Sequence, residues 1–136
     1  MQDYRKLRVW QGAHAIVLEI YALSKRFPSE ERFGLTAQLR RSGASMAANI
    51  AEGAMRGSDA AFGHFLQIAA ASASEVDYHL QLAADLGYMD ASTHERIERE
   101  LRLFRRTLSA LRTKVRKGAK GEKEDSVVSS PTANSQ

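Results

Sequence analysis

Proline occurs only at Pro28 and Pro131, which leaves residues 29–130 as one proline-free run. Proline interrupts helices because it lacks an amide hydrogen and clashes with the preceding turn, so such a run has room for long helices. The apolar residues use that room. They recur at alternating steps of three and four, the spacing of one buried helical face. Val9, Ala13, Ile16, Ile20, Leu23 and Phe27 fit without a break. Phe27-Pro28-Ser29 ends this first helix, because proline disfavours helical geometry in the residue before it. One short turn is expected over Glu30 to Gly34.

A second helix is expected from about Leu35 to Arg56, with Leu35, Leu39, Met46, Ile50 and Ala54 facing inward. It is rich in small residues, among them Ser42, Gly43, Ala44, Ser45, Ala47, Ala48, Ala51 and Gly53. Glycine costs a helix about 1 kcal/mol against alanine. A close approach of backbones, within the bundle or between subunits, is the expected compensation. Gly57-Ser58 reads as a stop followed by an N-cap. The third helix then runs from about Asp59 to Leu86, with Phe62, Leu66, Ala69, Ala73, Val76, Leu80 and Ala83 as its seam. Gly87 closes it, and Asp90 or Ser92 caps a fourth helix. There Ile97, Leu101, Phe104, Leu108, Leu111 and Val115 keep a heptad-like seam to about Lys117. No segment alternates like a half-buried strand. The expected fold is all-α, an up-down-up-down four-helix bundle over residues 1–117. Residues 118–136 are rich in glycine, serine and charge, and a disordered tail is expected there.

A length of 136 residues fits one such domain. With no cysteine, a disulfide framework, a cysteine zinc site and a thiol nucleophile are excluded. No apolar run approaches the roughly 20 residues of a membrane span, and Met-Gln-Asp-Tyr-Arg-Lys does not read as a secretory signal. No membrane partner and a cytoplasmic location are therefore expected. A di-metal bundle site needs Glu-x-x-His pairs, and none of His14, His64, His79 and His94 follows a glutamate by three. Glu75 and His79 lie four apart and read as a structural hydrogen bond. There is no nucleophile elbow and no phosphate-cradling glycine loop. Ser42, Ser45, Ser72 and Ser74 have no identifiable base and read as packing residues. The expectation is no catalytic residue, no metal, no cofactor and no enzymatic activity.

The net charge of +4 conceals a separation. Residues 58–90 carry no Lys or Arg and five Asp/Glu, whereas residues 91–117 carry nine Lys/Arg and three Asp/Glu. One reading is mutual offset between neighbouring helices, each exposed pair contributing about 0–1 kcal/mol. The other follows from topology. The start of the first helix and the ends of the second and fourth share one pole, which gathers Arg5, Lys6, Arg8, Arg56, Arg112, Lys114, Arg116 and Lys117. Such a pole can neutralise phosphates of RNA or DNA, with affinity that falls in salt. The acidic Glu122, Glu124 and Asp125 are able to fold back and screen it.

Helix 2 also carries Gln38, Arg40, Arg41, Asn49 and Glu52. Their spacing allows a shared face, either solvated or forming an interhelix or intersubunit polar network around Gln38, Arg41, Asn49 and Glu52.

Several linked motifs now add up. Leu7-Arg8-Val9-Trp10-Gln11, Phe27-Pro28-Ser29-Glu30-Glu31-Arg32-Phe33-Gly34-Leu35, Gln38-Leu39-Arg40-Arg41, Asn49-Ile50-Ala51-Glu52-Gly53, Phe65-Leu66-Gln67-Ile68-Ala69 and Leu86-Gly87-Tyr88 follow in order. Over about residues 4–115 the chain resembles the four-helix-bundle proteins encoded in 23S rRNA intervening sequences. Ala71 departs from the glycine usual there, and the tail from Gly118 is outside the pattern. The resemblance implies a cytosolic bacterial bundle that forms ring-like homo-oligomers, often pentamers, with no known reaction. It also implies kinship with accessory proteins of diversity-generating retroelements, in which a basic surface contacts nucleic acid. The expected function is thus a non-enzymatic oligomeric bundle that binds structured RNA or DNA through Arg5, Lys6, Arg8, Arg112, Lys114, Arg116 and Lys117. The competing expectation is a protein-interaction scaffold without nucleic acid.

Overall fold

Each stretch of three-four spacing becomes a helix in the computed structural model, which describes residues 2–129. A 3₁₀ turn at Tyr4–Lys6 leads into α1 (Arg8–Ser24), and a second at Ser29–Glu31 precedes α2 (Leu35–Ala54). Then come α3 (Asp59–Asp85) and α4 (Ala91–Ser129). Each helix packs on its neighbours in sequence, and α1 closes on α4. The architecture is an all-α, up-down-up-down four-helix bundle.

The seams form the core. All seven expected positions of α3 are buried, as are Ile97, Leu101, Phe104, Leu108 and Val115 of α4, while Leu111 is half-buried. Val9, Ala13, Ile16 and Ile20 oppose them from α1, with Leu35, Leu39, Met46, Ile50 and Ala54 from α2. The small residues of α2 meet neighbours inside the bundle. A Cβ on Gly43 would stand 2.9 Å from Ile20 Cδ1, and one on Gly53 would stand 2.8 Å from Phe65 Cβ. Close packing of the Ile20 side chain on Gly43, and of Phe62 and Phe65 on Gly53, therefore offsets the poor helix propensity of both glycines.

The helix ends follow from local chemistry. Ser58 Oγ accepts from the Ala61 amide at 3.2 Å, and Asp90 Oδ1 accepts from the Thr93 amide at 2.7 Å. Asp90 rather than Ser92 is thus the cap of α4. Gly87, at φ 79°, lets the amides of Gly87 and Tyr88 reach back to the carbonyls of Ala84 and Ala83, a Schellman ending for α3.

The fourth helix does not stop near Lys117. The segment from Gly118 was expected to be disordered, and α4 instead continues through it to Ser129. Residues 130–136 lie outside the described residues. The extension meets a partner distant in sequence: Glu122 Oε1 accepts from the Asp59 amide at 3.2 Å. That amide is one of the donors left over at the start of α3, where the helix dipole also favours a carboxylate. Gly118 makes the approach possible, since a Cβ there would overlap the Asp59 carboxylate.

Candidate nucleic-acid interface

Antiparallel topology brings the start of α1, the end of α2, the start of α3 and the distal turns of α4 to one pole. The Gln2 amide donates to Ala54 O at 3.4 Å, and Glu122 reaches Asp59. Helical phase then divides the cations. Arg8 lies in the groove between α1 and α4 beside Leu103, Phe104 and Thr107. Arg112 and Arg116 lie in the groove between α3 and α4 with Asp59, Gly63 and Gln67. Lys114 stands two residues from Arg112, about 200° around the helix, and Lys117 is exposed. Arg5 and Lys6 belong to the first 3₁₀ turn. The seven candidate cations share a pole, but the two grooves divide them.

Five arginines are held in ion pairs. Arg56 pairs with Glu52 at 2.6 Å, Arg96 with Glu19, Arg102 with Glu98 at 3.8 Å and Arg105 with Asp77 at 3.6 Å. Arg5 pairs with Asp3 at 3.8 Å. Among the described residues, Lys6, Arg8, Arg112, Lys114, Arg116 and Lys117 make no ion pair. At the opposite pole a cleft of about 440 Å³ holds Glu19, Arg26, Asp90 and Arg96. Its charges are largely matched, since Arg96 pairs with Glu19 and Asp90 caps α4.

A family profile described as 23S rRNA-intervening sequence protein matches residues 5–110. The chain belongs to this family. Among curated proteins nothing matches it. A crystal structure of a protein of unknown function from the S23 ribosomal protein family of Bacteroides thetaiotaomicron is similar, with 28% identity and a TM-score of 0.71. The similarity covers 77% of this chain and 95% of that one. The matched segment of this 23S rRNA-intervening sequence protein contains Arg5, Lys6 and Arg8 and ends before Arg112. The cations of distal α4 are therefore features of this chain beyond the family match.

The polar residues of α2 do not act together. Asn49 Nδ2 donates to Ser45 O at 2.8 Å and to Ser45 Oγ at 3.0 Å. Ser45 Oγ in turn meets Ser72 Oγ of α3 at 2.7 Å. Glu52 instead pairs with Arg56 along its own helix. Gln38 and Arg41 are exposed, and their side chains have no polar partner among the described residues. Among the described residues, none of the four network candidates itself reaches another helix within the bundle; Asn49 touches α3 only through Ser45. Arg40 makes the other polar link, donating from Nε to Ser24 Oγ of α1 at 2.9 Å. His79 Nδ1 lies 3.3 Å from Ser42 Oγ of α2; that pairing, not Glu75, occupies the imidazole.

Arg105 was absent from the sequence-based set. It lies in the α3–α4 groove with Gln67, Ser74, Ser109 and Arg112. The signal was present in the spacing, since steps of seven and four from Arg105 to Arg112 to Arg116 define one stripe of a helix.

Proposed function

We propose that the chain is a non-enzymatic bundle that self-associates into a ring, a pentamer in the form the family resemblance implies. It binds structured RNA or DNA through phosphates at the basic pole. The observation that carries this reading is the gathering at one pole of Lys6, Arg8, Arg112, Lys114, Arg116 and Lys117, none of which makes an ion pair among the described residues. Exposed pairs contribute about 0–1 kcal/mol, so the fold has little use for these cations. A polyanion does. A ring would repeat the pole around its axis and multiply weak contacts. The family name refers to an intervening sequence of 23S rRNA and names no ligand, so RNA and DNA are tested side by side. Kinship with accessory bundles of diversity-generating retroelements, which the family resemblance implies, would fit the same reading.

The test is fluorescence anisotropy with a labelled RNA hairpin and a labelled DNA duplex across a salt series, with light scattering on the same sample. Binding that weakens steeply with salt, by a particle five times 15.1 kDa, is the expected result. A monomer across micromolar concentrations would refute self-association. Salt-independent or absent binding would refute the phosphate interface.

A second reading is a protein-interaction scaffold. It is favoured by Phe33, which is 87% exposed in the turn before α2, and by Leu86, 50% exposed in the turn after α3. A stable protein partner that co-purifies without nucleic acid, and is lost in Phe33→Ser, would establish it in place of the first.

A further inference from the structure

We infer that the phosphates of one nucleic-acid strand run along the groove between α3 and α4, held by Arg112 and Arg116 and extended to Arg105. This rests on the phosphate-binding reading above and assigns it a track. Two clefts, of about 410 and about 230 Å³, share Gln67 and Arg112 and so form one continuous groove. Along its α4 edge Arg105, Ser109, Arg112 and Arg116 are spaced four, three and four, a single stripe. At 1.5 Å per residue the outer two arginines are about 16 Å apart, and Arg112 and Arg116 about 6 Å. That spread suits a run of phosphates and is too long for one anion.

The α3 edge is built to let a strand in. Ala60, Gly63, Ala70 and Ala71 are too small to obstruct the groove, Gln67 offers a neutral hydrogen-bonding group, and Ser74 Oγ accepts from Arg105 at 3.1 Å. Carboxylates stand only at its two ends, where Asp59 lines the distal cleft and Asp77 pairs with Arg105 at 3.6 Å. Between them Arg112 is half-buried without a counter-ion. A partly desolvated guanidinium that lacks an anion gains most from a phosphate, to which it can donate in bidentate fashion. No aromatic ring lines either cleft, so the contacts fall on backbone phosphates and carry no base preference. Lys114, on the far side of α4, adds general attraction outside this track.

The experiment compares two double variants of the full chain with equal loss of charge: Arg112→Gln with Arg116→Gln, and Lys114→Gln with Lys117→Gln. Anisotropy is read on the RNA hairpin and DNA duplex over a salt series. The groove variant should lose about tenfold or more in affinity, and its log-log salt slope should fall by about two. The lysine variant, which removes attraction outside the track, should lose less affinity and less slope than the groove variant. Asp77→Asn, which frees Arg105, should bind more tightly than wild type, a gain that misfolding cannot imitate. Equal losses and equal slopes in the two double variants, or no gain in Asp77→Asn, would overturn the groove while leaving the basic pole intact. No binding by the wild-type chain would overturn the pole and the groove together.

Discussion

The Tyr88 hydroxyl donates to Glu31 Oε2 at 2.9 Å, while Oε1 of the same carboxylate accepts from the Leu35 amide at 3.3 Å. One side chain thus caps α2 and ties the turn before it to the turn between α3 and α4. Phe27 packs against the Tyr88 ring at 5.5 Å, so the tie has an apolar backing.

That hydrogen bond holds the phenol in its neutral form, and with burial and the charges of Glu31 and Glu30 it raises the Tyr88 pKa above 10.0. A raised folded value means the contribution is fully present below pH 10 and disappears as pH climbs through the folded pKa. Tyr88→Phe should lower the melting temperature at neutral pH. Thermal melts of the two proteins should converge at strongly alkaline pH.

Asp90 behaves in the opposite sense. The Thr93 amide and hydroxyl and the Ser92 hydroxyl, with the charge of Arg26, lower its pKa below 3.8. A depressed folded value gives stability that is present above the unfolded pKa and lost as pH falls through the folded one. Asp90→Ala should melt earlier than wild type at pH 7. Circular dichroism scans in strong acid should show the gap closing.

Gly43 and Gly53 should answer differently to alanine. At Gly53 the new Cβ would press on Phe65 Cβ at 2.8 Å and Phe62 Cδ1 at 2.9 Å. The overpacking should cost about 1–3 kcal/mol, outweighing a helix-propensity gain of about 1 kcal/mol. At Gly43 the close neighbour is the mobile tip of Ile20, which can turn aside. Urea midpoints should fall for Gly53→Ala and stay level or rise for Gly43→Ala.

Ser72→Ala removes the 2.7 Å contact that joins α3 to Ser45 and, through it, to Asn49. The loss should be about 1 kcal/mol, and Ser45→Ala in the same background should add little. A double-mutant cycle in urea measures that coupling, and full additivity would show that the two hydroxyls do not act together.

The bundle was legible because Phe62 through Ala83 and Ile97 through Val115 repeat on a period that only a helix can bury on one side. Distal α4 was not. Gly118 and Gly121 look like breakers when read locally, and the contact that holds the helix there, Glu122 on the Asp59 amide, lies 63 positions away. Within one bundle the polar set on α2 does not close into a single network: Arg41 and Asn49 are eight residues apart, about 80° around the helix, and Arg41 is exposed while Asn49 bonds to Ser45. Arg105 escaped notice because charge was gathered by position along the chain, and the groove gathers it by stripe.

The Glu122–Asp59 contact also sets an order of events. Its two halves have nothing to hold until α3 has docked on α4, because closing so long a loop costs entropy that only the packed bundle offsets. The distal turns of α4 are therefore tied to α3 only in the packed bundle, and losing that tie would leave the Asp59 amide open at the pole.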